Sequence, residues 1–150
     1  MRDRDEIERR LGSAQDACQG ARLTDLRREV FALVLEAEGP IGAYALLDRL
    51  KLTRRTAAPP TVYRALDFLL AHGLVHRVER LNAFVPCDDG GRHDHDVQFL
   101  ICSTCGAVDE VEDGGVVDAL RHAAIAQGFT PGHATVEVEG TCAACAASVT

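Results

Sequence analysis

Apolar positions recur at helical spacing through the first half of the chain and at strand spacing through most of the second. Ile7, Leu11, Ala14 and Cys18 share one face, which predicts a helix ending near Gly20, with Cys18 packing as a small hydrophobe. A second helix follows the N-cap residue Thr24, with Leu26, Val30, Leu33 and Val34 on one face and a stop at Gly39-Pro40. A third, shorter helix carries Ala43, Leu46, Leu47 and Leu50. After the polar loop "TRRTAA", Pro59-Pro60 sets the start of a fourth helix, "TVYRALDFLLAHG", which Gly73 closes. Its apolar stripe is Val62, Leu66, Leu69 and Leu70, which leaves Tyr63, Arg64 and Asp67 off the stripe. Two strand-like runs follow, "LVHRVER" and "AFVPC", separated by Leu81-Asn82, where Asn tolerates the turn conformation. Three helices and then a hairpin is the order of a winged helix-turn-helix.

Beyond residue 87 the pattern changes. "DVQFLIC" and "AVDEVE" read as strands, Val116 to Gln127 as a helix closed by Gly128, and "ATVEVEG" as a last strand. The fold expected is therefore α+β: a winged helix-turn-helix domain over 1–86, a hinge at "CDDGGR" over 87–92, and a small α/β domain over 93–150. The last unit is small to stand alone, so pairing with a second copy through a sheet edge or helix face is expected. A two-fold dimer would present two recognition helices to a palindromic DNA site.

Charge sharpens this division. The 150 residues carry a formal charge of −7, an unpromising balance for a partner of nucleic acid. Yet residues 1–86 hold 14 Lys and Arg against 12 Asp and Glu, net +2, while residues 87–150 hold 2 against 11, net −9. Only the first half is suited to approach DNA. Arg64 can pair with guanine O6 and N7 and the Tyr63 ring can lie against a thymine methyl, both near the start of the fourth helix; Arg54, Arg55 and Lys51 are the candidates for phosphate contacts. Each taken singly reads better as an ordinary solvated face, and it is the order of elements that favours DNA. The opening "MRDRDEIERRLG" alternates charges without the apolar run of a signal peptide, and no stretch is long and apolar enough to span a bilayer, so a cytoplasmic protein is expected.

In a reducing compartment six cysteines point to metal, redox chemistry or burial rather than disulfides. Cys102, Cys105, Cys142 and Cys145 form two C-x-x-C pairs, 36 residues apart. Two residues between thiolates let one tight turn direct both sulfurs at a single ion, and two such turns complete a tetrahedral Zn²⁺ site. Redox cycling would use a single pair at a helix N-terminus, whereas both pairs here follow strands. A zinc deaminase would need H-x-E followed by P-C-x-x-C, which "HDH" and "GTCAAC" do not supply. His76, Cys87, His93, His95 and Glu110 stand apart from this set. Singly they read as strand or loop residues; together they assemble N, S and O donors from both sides of the hinge, where an ion would fix the angle between domains. His72 and His122 read as solvated or helix-end residues.

The segments "PPTVYRALDFLLAHGLVHRVERLNAFVPC", "FLICSTCGAVDEV" and "CAAC" resemble the ferric uptake regulator superfamily over roughly residues 22–147, and within it the zinc uptake regulator branch, for which "PPTVYRALDFLL" and the hinge cysteine are distinctive. The resemblance implies a C-terminal dimerisation domain, a structural zinc on Cys102, Cys105, Cys142 and Cys145, and a regulatory zinc on His76, Cys87, His95 and Glu110, with His93 a rival to His95. About two Zn²⁺ per chain are thus expected. Of a third site found in some relatives, at most Asp94, Asp118 and His133 survive, with Arg92 where a histidine would stand. A thiolate with imidazoles and one carboxylate suits Zn²⁺ rather than iron or manganese. The function expected is a zinc-responsive transcriptional repressor, not an enzyme: a homodimer that binds palindromic double-stranded DNA operators of zinc-uptake genes. The alternatives are a relative sensing iron or manganese, a metal-handling protein that does not bind DNA, and a thiol oxidoreductase.

Overall fold

A computed structural model describes residues 2–88 and 96–148 and divides into two compact units, Met1–His93 and Asp94–Thr150. The first unit contains α1 (Arg4–Ala17), α2 (Asp25–Glu36), α3 (Ala43–Leu50), α4 (Pro59–Ala71), β1 (Val75–Val78) and β2 (Ala83–Pro86). The Asp3 side chain caps α1 by accepting the Glu6 N–H, and Thr24 caps α2 by accepting the Arg27 N–H. Such a cap satisfies a donor the helix leaves open, so Thr24→Ala should cost about 1 kcal/mol, read as a lower urea midpoint at unchanged slope. Pro59 and Pro60 occupy the first turn of α4, where no N–H is needed, and Gly73 leaves it at φ 67°.

Val30, Val34, Leu35, Leu46, Leu50, Val62, Leu66 and Leu69 form the core of this unit, with Leu11, Ala14 and Cys18 added by α1. The Cys18 thiol donates to the Ala14 carbonyl at 3.1 Å, and burial pushes its pKa up, as for a packed apolar residue. The periodicity puts Leu26 and Leu33 on the buried face of α2; the structure instead buries Phe31 and Leu35 beside Val30 and Val34 and leaves the two leucines half-buried. The cause is that α2 packs against α1, α3, α4 and β2, so its buried face is wider than one stripe.

β1 and β2 pair antiparallel in the register Val75↔Pro86 to Val78↔Ala83. A 3-10 turn over Glu79–Leu81 ends at Asn82, which takes the left-handed conformation at φ 47°. Ile41 and Phe84 exchange both backbone hydrogen bonds, at 3.0 and 2.9 Å, which fastens this wing to the chain between α2 and α3. Just past β2, the Asp88 carboxylate receives Arg10 at 3.6 Å and Arg2 at 4.0 Å, tying α1 to the end of the wing.

The second unit contains β3 (Val97–Cys102), β4 (Val108–Val111), α5 (Gly114–Ala126), β5 (Thr135–Gly140) and α6 (Ala143–Ala147). Its sheet has the order β4-β3-β5, with β4 antiparallel and β5 parallel to β3. The Asp113 side chain caps α5 by accepting the Gly115 N–H at 2.8 Å, starting the helix two residues before the expected Val116. No residue of α5 is buried, and Leu120, Ile125 and Phe129 stand exposed, as does Val138 on β5. The short α6 is absent from the expected elements; Cys142 is its N-cap, so the second C-x-x-C pair, expected only to follow a strand, also stands at a helix N-terminus. Among the described residues no helix is long and apolar enough to cross a membrane.

Candidate metal centre and DNA-reading helix

The second unit gathers four sulfurs. β3 ends on Cys102, and a tight turn follows in which Gly106, at φ 76°, donates to the Cys102 carbonyl at 2.9 Å while Cys102 donates to the Ala107 carbonyl at 2.9 Å. The positive φ is why a residue without a Cβ follows Cys105. The other pair hangs from the parallel neighbour: Cys102 pairs with Gly140 in register, two residues before Cys142. The 36 residues between the pairs are thus a strand, a helix and a strand that return the chain to the same end of the sheet.

Donor atoms of Cys102, Cys105, Cys142 and Cys145 all lie within 4.8 Å of one another, and the Cys105 and Cys142 sulfurs are 3.9 Å apart. A tetrahedron with Zn–S arms of 2.3 Å has edges of about 3.8 Å, so the cluster matches a tetrahedral thiolate site. Backbone N–H groups also point at sulfur: Cys142 donates to Cys102 Sγ at 3.3 Å and Cys145 to Cys142 Sγ at 3.4 Å. The Cys142 N–H, with help from that of Cys105, pulls the Cys102 thiol down to about 6. Hydrogen bonding to the Cys142 and Cys105 sulfurs pushes Cys145 up to about 12. Negative charge is therefore favoured first on Cys102, where backbone N–H groups converge, and last on Cys145, which serves as a donor to its neighbours.

In the first unit, His76 on β1 faces Val85 across the wing, and Cys87 follows β2 with its N–H donating to the Leu74 carbonyl at 3.0 Å. His76 and Cys87 are diagonal neighbours on one face of the hairpin, with donor atoms within 4.8 Å of each other. Cys87 is buried and His76 half-buried. Glu110 belongs to the second unit, half-buried on β4 opposite Phe99. His93 and His95, like Arg92 and Asp94, lie outside the described residues. Asp118 is exposed on α5, and His133 Nδ1 lies 3.8 Å from Asp96 Oδ1. Asp96 also accepts Arg121 Nη2 at 2.8 Å and the Ala134 N–H at 3.0 Å. These bonds, the Ala134 one foremost, hold its carboxyl below the ordinary range. Asp96 thus ties α5 and the chain before β5 to the start of β3. Sequence spacing offered no sign of Asp96, because its partners are 25 and 38 residues away.

On α4, Tyr63 and Arg64 are exposed while Val62 and Leu66 beside them are buried, the division expected of a helix that packs on one face and reads on the other. Lys51, Arg54 and Arg55 are exposed in the preceding turn and loop. Arg54 is not a free cation: its Nε donates to Glu29 on α2 at 2.6 Å. His72 ends α4 with Nδ1 2.8 Å from the Phe68 carbonyl, and His122 is exposed on α5.

A winged helix-turn-helix unit joined to a small α/β unit with a four-cysteine cluster is the architecture of a metal-dependent DNA-binding regulator. The model of the ferric uptake regulator family matches residues 18–139, and the chain belongs to that family. It is 44% identical over 137 residues to the zinc uptake regulation protein of Escherichia coli strain K12, spanning 90% of this chain and 80% of the relative. With the zinc uptake regulation protein of Mycobacterium tuberculosis it shares 30% over 129 residues, covering 84% and 95%. Among solved structures it resembles a zinc uptake regulator complexed with zinc and DNA, at 41% identity and TM-score 0.90 over 95% of this chain and 97% of that one.

Proposed function

We propose that the protein is a zinc-responsive transcriptional repressor that acts as a homodimer on palindromic operators of zinc-uptake genes. The observation that carries this reading is the placement of His76 and Cys87 on the wing itself, so that a metal site is begun within the DNA-binding unit. Cys102, Cys105, Cys142 and Cys145 would hold a structural zinc, and His76, Cys87, His95 and Glu110 a regulatory one, with His93 the rival of His95. Bound there, the divalent cation supplies charge neutralisation and a fixed coordination geometry. Ligands drawn from both units then restrict the hinge over 87–92 and favour the arrangement in which two recognition helices match one operator. The exposed apolar residues of α5 and β5 support pairing of the second unit with another copy. The role is regulatory rather than catalytic, and it is exercised in the cytoplasm, where the thiols stay reduced.

Titrating free zinc against the protein and a palindromic duplex in a gel-shift assay tests this reading, since binding should rise with occupancy of the second zinc. Binding that ignores zinc would leave a metal-handling protein as the better account. Within the duplex, Tyr63 and Arg64 read bases and Lys51, Arg54 and Arg55 take phosphates. Arg64→Ala should therefore weaken operator binding by about 1–3 kcal/mol and relax preference at one position of each half-site. Base-by-base competition measures it, and unchanged discrimination would remove Arg64 from the reading set.

A further inference from the structure

Glu29, on α2, divides its carboxylate between two residues of the loop joining α3 to α4. Oε1 accepts the hydroxyl of Thr53, and Oε2 accepts Nε of Arg54 at 2.6 Å. The loop backbone supports this arrangement, since the Arg54 N–H donates to the Leu50 carbonyl at 2.8 Å and the Arg54 carbonyl accepts from Ala57 at 3.0 Å. Burial raises the Glu29 carboxyl, but the bonds from Thr53 and Arg54 outweigh it and hold the group below the ordinary range. It is therefore a charged acceptor at neutral pH.

An arginine and a carboxylate that serve only each other favour two parallel bonds, with both oxygens on one guanidinium edge. Here the second oxygen is committed to Thr53 and the carboxylate meets the guanidinium at Nε, which leaves the two Nη groups for another acceptor. The Arg54 side chain is 41% exposed and lines an open groove of about 510 Å³ with Thr53, Arg55 and Thr61, the last in the first turn of α4. A groove edged by two arginines at the head of a recognition helix has the charge and position of a phosphate contact.

We infer that Glu29 is a positioning residue of the DNA interface: by holding Arg54 at Nε and Thr53 at its hydroxyl, it presents the outer edge of the Arg54 guanidinium to a backbone phosphate. The inference rests on the DNA-binding reading above. A rotamer-rich side chain fixed before the encounter loses less freedom on binding, an advantage of about two- to tenfold in affinity. The opposite role, a carboxylate that competes with phosphate for Arg54, makes the opposite forecast for the same variant.

The test measures binding of the zinc-saturated protein to a palindromic operator and to a random duplex across a range of salt. Wild type, Glu29→Gln, Glu29→Asp, Arg54→Gln and the Glu29→Gln/Arg54→Gln double variant are compared, each well below its unfolding midpoint. Glu29→Gln should weaken both duplexes about two- to tenfold and leave the ratio between them and the salt slope unchanged, whereas Arg54→Gln, which removes the phosphate contact itself, should lower that slope by about one counterion. Glu29→Asp keeps the charge but cannot span both partners, so it should weaken binding likewise; it carries the test if the glutamine variant fails to fold. On the Arg54→Gln background, Glu29→Gln should change nothing further. Binding by Glu29→Gln as tight as wild type or tighter overturns the inference, as does an equal loss with and without Arg54. A zinc-loaded wild type that binds neither duplex would instead sink the DNA-binding reading itself.

Discussion

Cys87→Ser should remain a folded dimer that keeps one tightly held zinc per chain and no longer gains operator affinity when zinc is added. Cys87 is buried at the end of the wing, its N–H bonded to Leu74 and the next residue tied by Arg10 and Arg2 to α1. A serine keeps that backbone and nearly that volume while removing the softest donor of the proposed regulatory set, and soft thiolate is what favours zinc over harder ions there. The four-cysteine cluster belongs wholly to the other unit and is untouched. Allosteric coupling is typically about 5- to 150-fold, and the variant should reduce it to near unity. By reciprocity, operator DNA should tighten the second zinc of wild type and have no such effect on the variant. Zinc titrations with and without duplex, with metal content measured on both proteins, decide this. A variant that responds at the same free zinc as wild type would take Cys87 out of the sensing set.

What a sequence makes legible depends on how local its cause is. The faces of α3 and α4, the proline start and glycine end of α4, and the left-handed Asn82 follow from spacing and backbone chemistry within a few residues. The paired C-x-x-C motifs are equally plain, because a spacing of two residues aims both sulfurs of a pair the same way, in the turn after β3 or at the start of α6; only their meeting requires the parallel pairing of β3 and β5. Phe31 and Leu35 were missed because their burial is set by which elements surround α2, a tertiary fact. Glu29 and Asp96 were missed for the same reason: each is an acidic residue among many, marked only by partners 24 to 38 residues distant. Candidate ligands announce themselves by residue type and spacing, whereas Glu29 and Asp96 are marked only by the tertiary contacts they make.

Cys102→Ser should do what Cys87→Ser does not, and abolish the dimer. Cys102 is the buried corner of the cluster, the last residue of the central strand, and its sulfur accepts the Cys142 N–H that leads into α6. Backbone N–H groups draw Cys102 down to about 6, which makes it the sulfur that gives up its proton most readily, whereas hydrogen bonds to neighbouring sulfurs push Cys145 up to about 12. Three thiolates and a serine hydroxyl cannot complete a tetrahedral sulfur site. Metal binding and folding are one free energy in such sites, of the order of 10–16 kcal/mol for structural zinc near neutral pH, which exceeds what a unit this small gains from its core. The second unit presents no buried residue on α5, so losing the staple should expose a loosely held sheet and helix in place of a pairing surface. Zinc content should fall by the tightly held ion, sedimentation should show monomer, and protease should cut first beyond residue 96. The first unit, with its own helical core, should keep its helicity throughout. A stable, zinc-free dimer of Cys102→Ser would return the four cysteines to redox chemistry and remove the structural zinc from the account.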